Sequence, residues 1–229
     1  MVVRVAERAT RSGATEVVVA TDHADIAGAV KAAGYDVMMT RSDHATGTDR
    51  LAEVVARRRY PPGSIVVNVQ GDEPLIPPAL IRRVAENLSA HREAHIATAC
   101  HPLRAAADLT NPNVVKVVLD NSGFALYFSR APVPYAREAF ADGIRTVPQR
   151  FPAYRHVGIY AYRASFLREF RRLKPAAIEQ FEALEQLRAL AHGFRISVAV
   201  TRTAPPPGID TPGDLERVER LLAGRRRVS

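Results

Sequence analysis

Cysteine and lysine are scarce in this chain: of 229 residues, one is cysteine (Cys100), and the lysines are Lys31, Lys116 and Lys174. A lone cysteine excludes an intrachain disulfide and suits a reducing compartment, so a cytoplasmic location is expected. Set in an apolar stretch, Cys100 reads as a small buried hydrophobe rather than a nucleophile. Long apolar runs are also missing: none approaches the roughly 20 residues that cross a bilayer. Arg4, Glu7, Arg8 and Arg11 interrupt the opening segment, which therefore lacks the apolar core of a signal peptide. No membrane partner is expected. The net charge of +8 is almost entirely arginine, scattered except for the runs at 57–59 and 225–227. A basic stripe interleaved with stacking aromatics is absent, so no nucleic-acid partner is expected. Guanidinium groups pair bidentately with carboxylate and phosphate, and an anionic small substrate fits the charge equally well. Part of the arginine excess is compositional bias, visible also in the abundant alanine. Internal repeats and low-complexity segments are likewise missing.

What is present is an alternation of strand and helix patterns. The length allows one large α/β domain or two small ones. Residues 2–12 read as a helix with Gly13 behind it, and residues 16–20 as a strand ending in Thr21-Asp22-His23. A helix over 25–33, closed by Gly34, leads to a strand at 36–40 and an amphipathic helix at 48–59. A strand at 64–70, a helix at 78–90 opened by Pro77-Pro78 and a strand at 96–100 follow. This order predicts a mostly parallel sheet with helices on both faces. The pattern changes near Asn111. Strands at 114–119 and 124–129, joined by Asp120-Asn121-Ser122-Gly123, follow antiparallel hairpin logic. Residues 131–155 carry no clear period and read as a long functional loop or subdomain connection. A strand at 157–162, helices at 164–172 and 178–191, a strand at 196–201 and a final helix capped by Thr211 with Pro212 at its first position complete the chain.

Residues 65–74, Ile-Val-Val-Asn-Val-Gln-Gly-Asp-Glu-Pro, carry the most information. A short β-branched run predicts a strand buried on both faces. It runs into two carboxylates, Asp72 and Glu73, which full burial would not tolerate unpaired. In an open α/β sheet, ligands bind just past the carboxyl ends of strands. Asp210, far downstream, also follows a strand. Two converging carboxylates suit Mg²⁺, which is held by one or two carboxylates plus phosphate oxygens. The plain alternatives are a polar turn at Asp72 and helix capping by Asp210.

Arg130 and Arg137 flank a proline-stiffened loop and could clamp a carboxylate or phosphate; solvated surface arginines are the alternative. His156 and Tyr160 share a strand face and offer hydrogen-bonding groups to a sugar, or form a satisfied core pair. Glu182, Glu185, Gln186 and Arg188 crowd one helix pattern, where ordinary i, i+3 pairing would join Glu185 to Arg188. The turn Thr46-Gly47-Thr48-Asp49-Arg50 supplies backbone donors at a helix start, a place that accepts anions. Capping by Thr48 is the equivalent without a ligand.

Several segments together resemble the 3-deoxy-manno-octulosonate (Kdo) cytidylyltransferases: 19–23, 46–55, 67–74, 111–120, 125–130, 156–163, 184–188 and 208–212. The resemblance covers essentially the whole chain. It implies a three-layer Rossmann-like nucleotidyltransferase fold, α/β with a mostly parallel mixed sheet and a small antiparallel substrate and dimerisation lobe. It further implies a single domain, about 1–110 binding nucleotide, about 111–195 binding sugar and dimerising, and about 196–229 returning to the main sheet. The implied reaction transfers CMP from CTP to the anomeric hydroxyl of Kdo and releases pyrophosphate, for lipopolysaccharide biosynthesis. Asp72 and Asp210 match the family's Mg²⁺ ligands and catalytic pair. Arg50, Gln70 and Thr48 match the nucleotide side, and Arg130, Arg137, His156, Tyr160, Glu185 and Gln186 the Kdo-binding set. CTP, Kdo and a second copy of the chain are the implied partners.

The family pattern opens with a strand and a phosphate-cradling loop, Pro-Ala-Arg-x-x-Ser-x-Arg-x-x-x-Lys, ahead of the helix that begins this chain. The expectation is that the 229-residue form binds CTP poorly and turns over little, while a chain carrying the upstream strand is active. Rival readings are a cytidylyltransferase for another keto-acid sugar of the sialic acid type, and a non-catalytic nucleotide- or RNA-binding protein. A nucleotide-sugar glycosyltransferase would carry Asp-x-Asp, where this chain has Asp72-Glu73-Pro74.

Overall fold

The computed structural model describes residues 1–44, 46–209 and 211–225, with side chains as far as residue 221. The chain divides into two compact units, one from Met1–Val54, Val69–Arg82 and Pro205–Ser229, the other from Val55–Asn68 and Arg83–Ala204.

The first unit opens with helix α1 (Val2–Thr10), whose Val5 and Ala6 are buried. Strand β1 (Val18–Thr21), helix α2 (Ala24–Ala32) and strand β2 (Asp36–Met39) form a βαβ unit. The two strands pair in parallel with Thr21 opposite Met39. Helix α2 packs on them through Ala27 and Val30, and Gly34 takes the left-handed turn (φ +79) that α2 needs to end before β2. Helix α3 (Gly47–Arg58) begins in this unit. The final helix α9 (Pro212–Arg225) also belongs here. Thr211 opens α9 as its side chain implies: Oγ1 accepts the Asp214 N–H at 3.2 Å, and Asp214 Oδ2 accepts the Thr211 N–H at 3.0 Å.

The second unit holds strand β3 (Ile65–Asn68), most of helix α4 (Pro78–Ala90), strand β4 (Ile96–Pro102), helix α5 (Ala106–Thr110), strands β5 (Lys116–Leu119), β6 (Ala125–Ser129) and β7 (Tyr154–Arg163), helices α6 (Ala164–Phe170), α7 (Ala177–Glu182) and α8 (Gln186–Ala191), and strand β8 (Ile196–Val200). Its sheet runs β6-β5-β7-β4-β8, with β3 also on β7. The core lies on β4, fully buried from Ile96 to Cys100, with Phe128, Phe166, Leu167, Leu187 and Ile196 around it.

The α/β class and mixed sheet hold, but the pairing sense departs from the mostly parallel expectation. β1·β2 and β4·β8 are parallel; β3·β7, β4·β7, β5·β6 and β5·β7 are antiparallel. The cause is β7, which returns through a long non-helical connection and so runs against each of its three neighbours. Strand β3 is half-buried along its length rather than buried on both faces, and its ladder among the described residues is with β7.

Three local readings also change. Helix α5 has too few residues to show a period. The expected helix at 178–191 is two, α7 and α8, parted by Ala183 in the left-handed region (φ 49). The aperiodic stretch 131–155 is packed: Phe140 and Ala153 join Leu103, Leu109 and Val114 in a cluster of their own, flanked by Ile144, Val147 and Phe151.

Candidate active site

In the first unit, parallel pairing brings the carboxyl ends of β1 and β2 side by side, with the Thr40 N–H on the Thr21 carbonyl at 2.9 Å. Arg50, from the first turns of α3, reaches both ends. Its Nη1 donates to Thr40 Oγ1 at 2.7 Å and its Nη2 to Asp22 Oδ2 at 3.1 Å. The Arg50 hydrogen bond holds the Asp22 carboxyl below the usual carboxylate range. A guanidinium at the ends of parallel strands, beside a helix start, is an anion-receptive arrangement. The cap of α3 is Thr46 rather than Thr48: Asp49 N–H donates to Thr46 Oγ1 at 3.2 Å, and Thr46 Oγ1 donates to Asp49 Oδ2 at 3.1 Å. Thr48 is buried instead, at 2% exposure. The preceding loop is pinned by Glu53, whose Oε2 meets His44 Nε2 at 2.5 Å and accepts the Arg41 N–H at 3.1 Å.

Asp72 sits in a double turn of the same unit. Glu73 N–H donates to the Gln70 carbonyl at 3.2 Å and Ile76 N–H to the Glu73 carbonyl at 3.1 Å, while buried Leu75 and Ile76 anchor the turn. Asp72 is half-buried and Gln70 exposed. The downstream segment docks on this turn through the Ile209 N–H, which donates to the Asp72 carbonyl at 2.9 Å. A Cβ at Gly208 would lie 3.2 Å from both the Asp72 carbonyl oxygen and Glu73 Oε1, a tight approach that a larger residue could make only by moving its neighbours. Asp210 lies outside the described residues. Among the described residues no three His, Cys, Asp or Glu side chains cluster as a metal cage. Mg²⁺ takes few protein carboxylates and completes its shell with phosphate and water, so a Mg²⁺ site requires no such cage.

In the second unit, β7 presents His156 and Tyr160 together, their ring centroids 5.4 Å apart, with Phe128 edge-on to His156 at 5.0 Å. A bulge in β7 opposite Thr98 and Ala99 shifts the register.

 

The Thr98 hydroxyl fills that bulge. It donates to the Ile159 carbonyl at 2.7 Å and meets His156 Nε2 at 2.9 Å. Its single proton is committed to the carbonyl, so it accepts from Nε2–H and leaves Nδ1 as the acceptor of the His156 ring. Burial pushes the His156 imidazole down to about 3, so the ring is neutral at physiological pH. The Tyr160 phenol is raised well above its ordinary value, first by burial, then by Tyr162 and by the charge of Glu185. That effect brings Glu185 into the same neighbourhood.

Gln186 is buried, and its Nε2 has no hydrogen-bond partner among the described residues. An orphaned buried amide is costly unless a ligand satisfies it. Arg130 is engaged with backbone: Nε donates to the Glu182 carbonyl at 2.6 Å, Nη1 to the Pro112 carbonyl at 2.9 Å and Nη2 to the Ala183 carbonyl at 3.4 Å. Arg137 lies on the exposed part of the 131–155 loop. Arg188 forks onto Glu179, at 2.8 and 2.5 Å, rather than serving only a surface i, i+3 pair. Both side chains are largely buried there, which ties α7 to α8.

Sequence reasoning passed over Thr98 and Lys116. Each had a readable signal: a polar or charged residue inside an otherwise apolar strand must find partners, and Thr98 and Lys116 are both fully buried. Lys116 Nζ donates to the carbonyls of Val114 (2.7 Å), Asn111 (3.0 Å) and Arg130, and burial lowers its pKa. Cys100 is buried as expected, its thiol pushed up to about 12 by desolvation.

Residues 1–196 match the family described as cytidylyltransferase. Among solved structures, a CMP:2-keto-3-deoxy-manno-octonic acid synthetase complexed with CTP is 40% identical to this chain. That similarity covers 98% of this chain and 88% of the other, with a TM-score of 0.87.

Proposed function

The chain belongs to the cytidylyltransferase family, and on that premise we propose that it transfers CMP from CTP to the anomeric hydroxyl of Kdo, releasing pyrophosphate. The observation that carries the reading is the likeness, over nearly the whole chain, to a synthetase of that name in complex with CTP. The orphaned Gln186 amide and the neutral His156, with Nδ1 as its acceptor, support a polyhydroxylated ligand in the second unit.

In the proposed reaction the anomeric oxygen forms a bond to the α-phosphorus, the bond from that phosphorus to the bridging oxygen breaks, and pyrophosphate leaves. Arg50, Thr48 and Gln70 hold the nucleotide, with Arg50 oriented by Asp22 and Thr40. His156, Tyr160, Glu185 and Gln186 hold the sugar hydroxyls, and Arg130 and Arg137 face its carboxylate. Asp72 and Asp210 are the residues that would hold Mg²⁺, which when bound neutralises charge on the triphosphate. The two units work as one nucleotidyltransferase domain, in a cytoplasmic homodimer. No helix among the described residues is long and apolar enough to cross a membrane.

The test is pyrophosphate release with a panel of nucleotides and of sugar acids. CTP with Kdo is expected to be preferred, and Asp72→Asn to lower kcat by at least about 100-fold. Preference for N-acetylneuraminate, or no turnover with Kdo, would overturn the proposal. Salt-sensitive RNA binding without turnover would favour the nucleic-acid reading instead.

A further inference from the structure

Glu182, the last residue of α7, gathers donors from the end of β6. Its carboxylate accepts the Ser129 hydroxyl at 2.6 Å and the Arg130 N–H at 2.8 Å. The Tyr127 phenol faces the same carboxylate, and burial followed by the Glu182 charge raises its pKa. The grip is reciprocal, because Arg130 Nε donates back to the Glu182 carbonyl and Nη2 to the Ala183 carbonyl. Behind this clasp stands Lys116, fully buried, with Nζ donating to the Arg130 carbonyl. Immediately past Glu182 the chain turns through left-handed Ala183, and α8 begins at Gln186. Glu185 and Gln186 are therefore presented by a turn whose position relative to the sheet is set by the clasp.

The geometry points to Glu182 as a positioning residue for the sugar acid, holding Glu185 and Gln186 in register with Tyr160 and His156 on β7. The inference rests on the Kdo reading above. Glu182 touches no substrate in this role; it acts through the α7–α8 turn. Without its carboxylate the Ser129 hydroxyl and Arg130 amide lose their acceptor. Of these hydrogen bonds between the turn and the end of β6, those of the Arg130 side chain then remain. A displacement of about 1 Å at a polar site of this kind costs on the order of 100-fold in rate.

The discriminating readout is the separation of sugar from nucleotide. Loss of fold would reduce the competent fraction for both ligands alike, whereas a displaced α8 turn affects the sugar alone. Kdo and CTP are titrated calorimetrically into the full 229-residue chain, and KM for each is measured in steady-state assays. Glu182→Ala is expected to weaken Kdo at least tenfold while CTP stays within twofold. Glu182→Gln, which keeps a carbonyl acceptor, is expected to recover part of the loss. Equal weakening of both ligands, or no weakening of Kdo in either variant, would overturn the assignment. Absence of Kdo binding in the wild type would overturn the Kdo reading itself, which separates the two failures.

Discussion

Thr98 has one hydroxyl proton and lies among three acceptor or donor groups: two carbonyls of the β7 bulge and the His156 ring. With the hydroxyl proton on a carbonyl, His156 Nε2 carries the ring proton and Nδ1 is left to accept from a ligand. Thr98→Val keeps the shape and removes the acceptor. The buried Nε2–H would then stand unpaired, at about 1–3 kcal/mol. The expected outcome is a lower Tm and weaker Kdo binding with CTP binding unchanged; imidazole nitrogen NMR of the variant reports the tautomer. A variant with wild-type nitrogen shifts and wild-type Kdo affinity would refute this account. His156 and Tyr160 were readable as a pair, because strand alternation places i and i+4 on one face. For Thr98 the need for partners was readable but their identity was not, because they come from a strand remote in sequence, at a bulge that no local pattern announces.

Helices α7 and α8 illustrate how tertiary contacts override periodicity. Residues 178–191 contain neither Gly nor Pro, so nothing local announces a break. The break exists because Arg130 draws in the carbonyls at 182 and 183, and Glu179 pairs with Arg188 across the turn. The left-handed conformation costs an L-residue roughly 1–2 kcal/mol. Ala183→Gly relieves that strain but loosens the unfolded chain, an opposing effect of about 0.5–1 kcal/mol. A net rise of one to a few degrees in Tm is expected by calorimetry; a fall would show that Ala183 is unstrained. The start of α3 shows the opposite relation. Thr46 and Asp49 have cap spacing, and the structure uses it: Thr46 Oγ1 accepts the Asp49 N–H and donates to the Asp49 carboxylate, where the sequence offered Thr48 as the capping alternative.

Across the whole molecule, the buried histidines make stability depend on pH. His156 is depressed to about 3 by burial, and His95 is lowered by burial first, with a smaller contribution from Arg163. Above the ordinary imidazole value of 6.5 both states are largely deprotonated at these sites. Below it the unfolded chain binds protons that the folded chain refuses, so stability falls as pH drops from 6.5 toward about 3. The slope is at most about 1.4 kcal/mol per pH unit for each histidine. Thermal melts from pH 7.5 to 5 are expected to show a Tm falling by several degrees, with a flatter slope in His156→Asn. An unchanged slope in that variant would remove His156 from the account.

The strand and helix alternation, the final helix with its Thr211 cap and the hairpin at Asp120–Gly123 were all determined by local sequence, because period, capping groups and turn residues act over a few positions. The Asp72 turn was likewise legible, since a strand running into carboxylates must leave the core. Only the tertiary structure decided the antiparallel course of β7, the burial of Lys116 and the split between α7 and α8. Each of these depends on backbone carbonyls or strands brought in from distant parts of the chain, and such partners have no trace in the residues beside them.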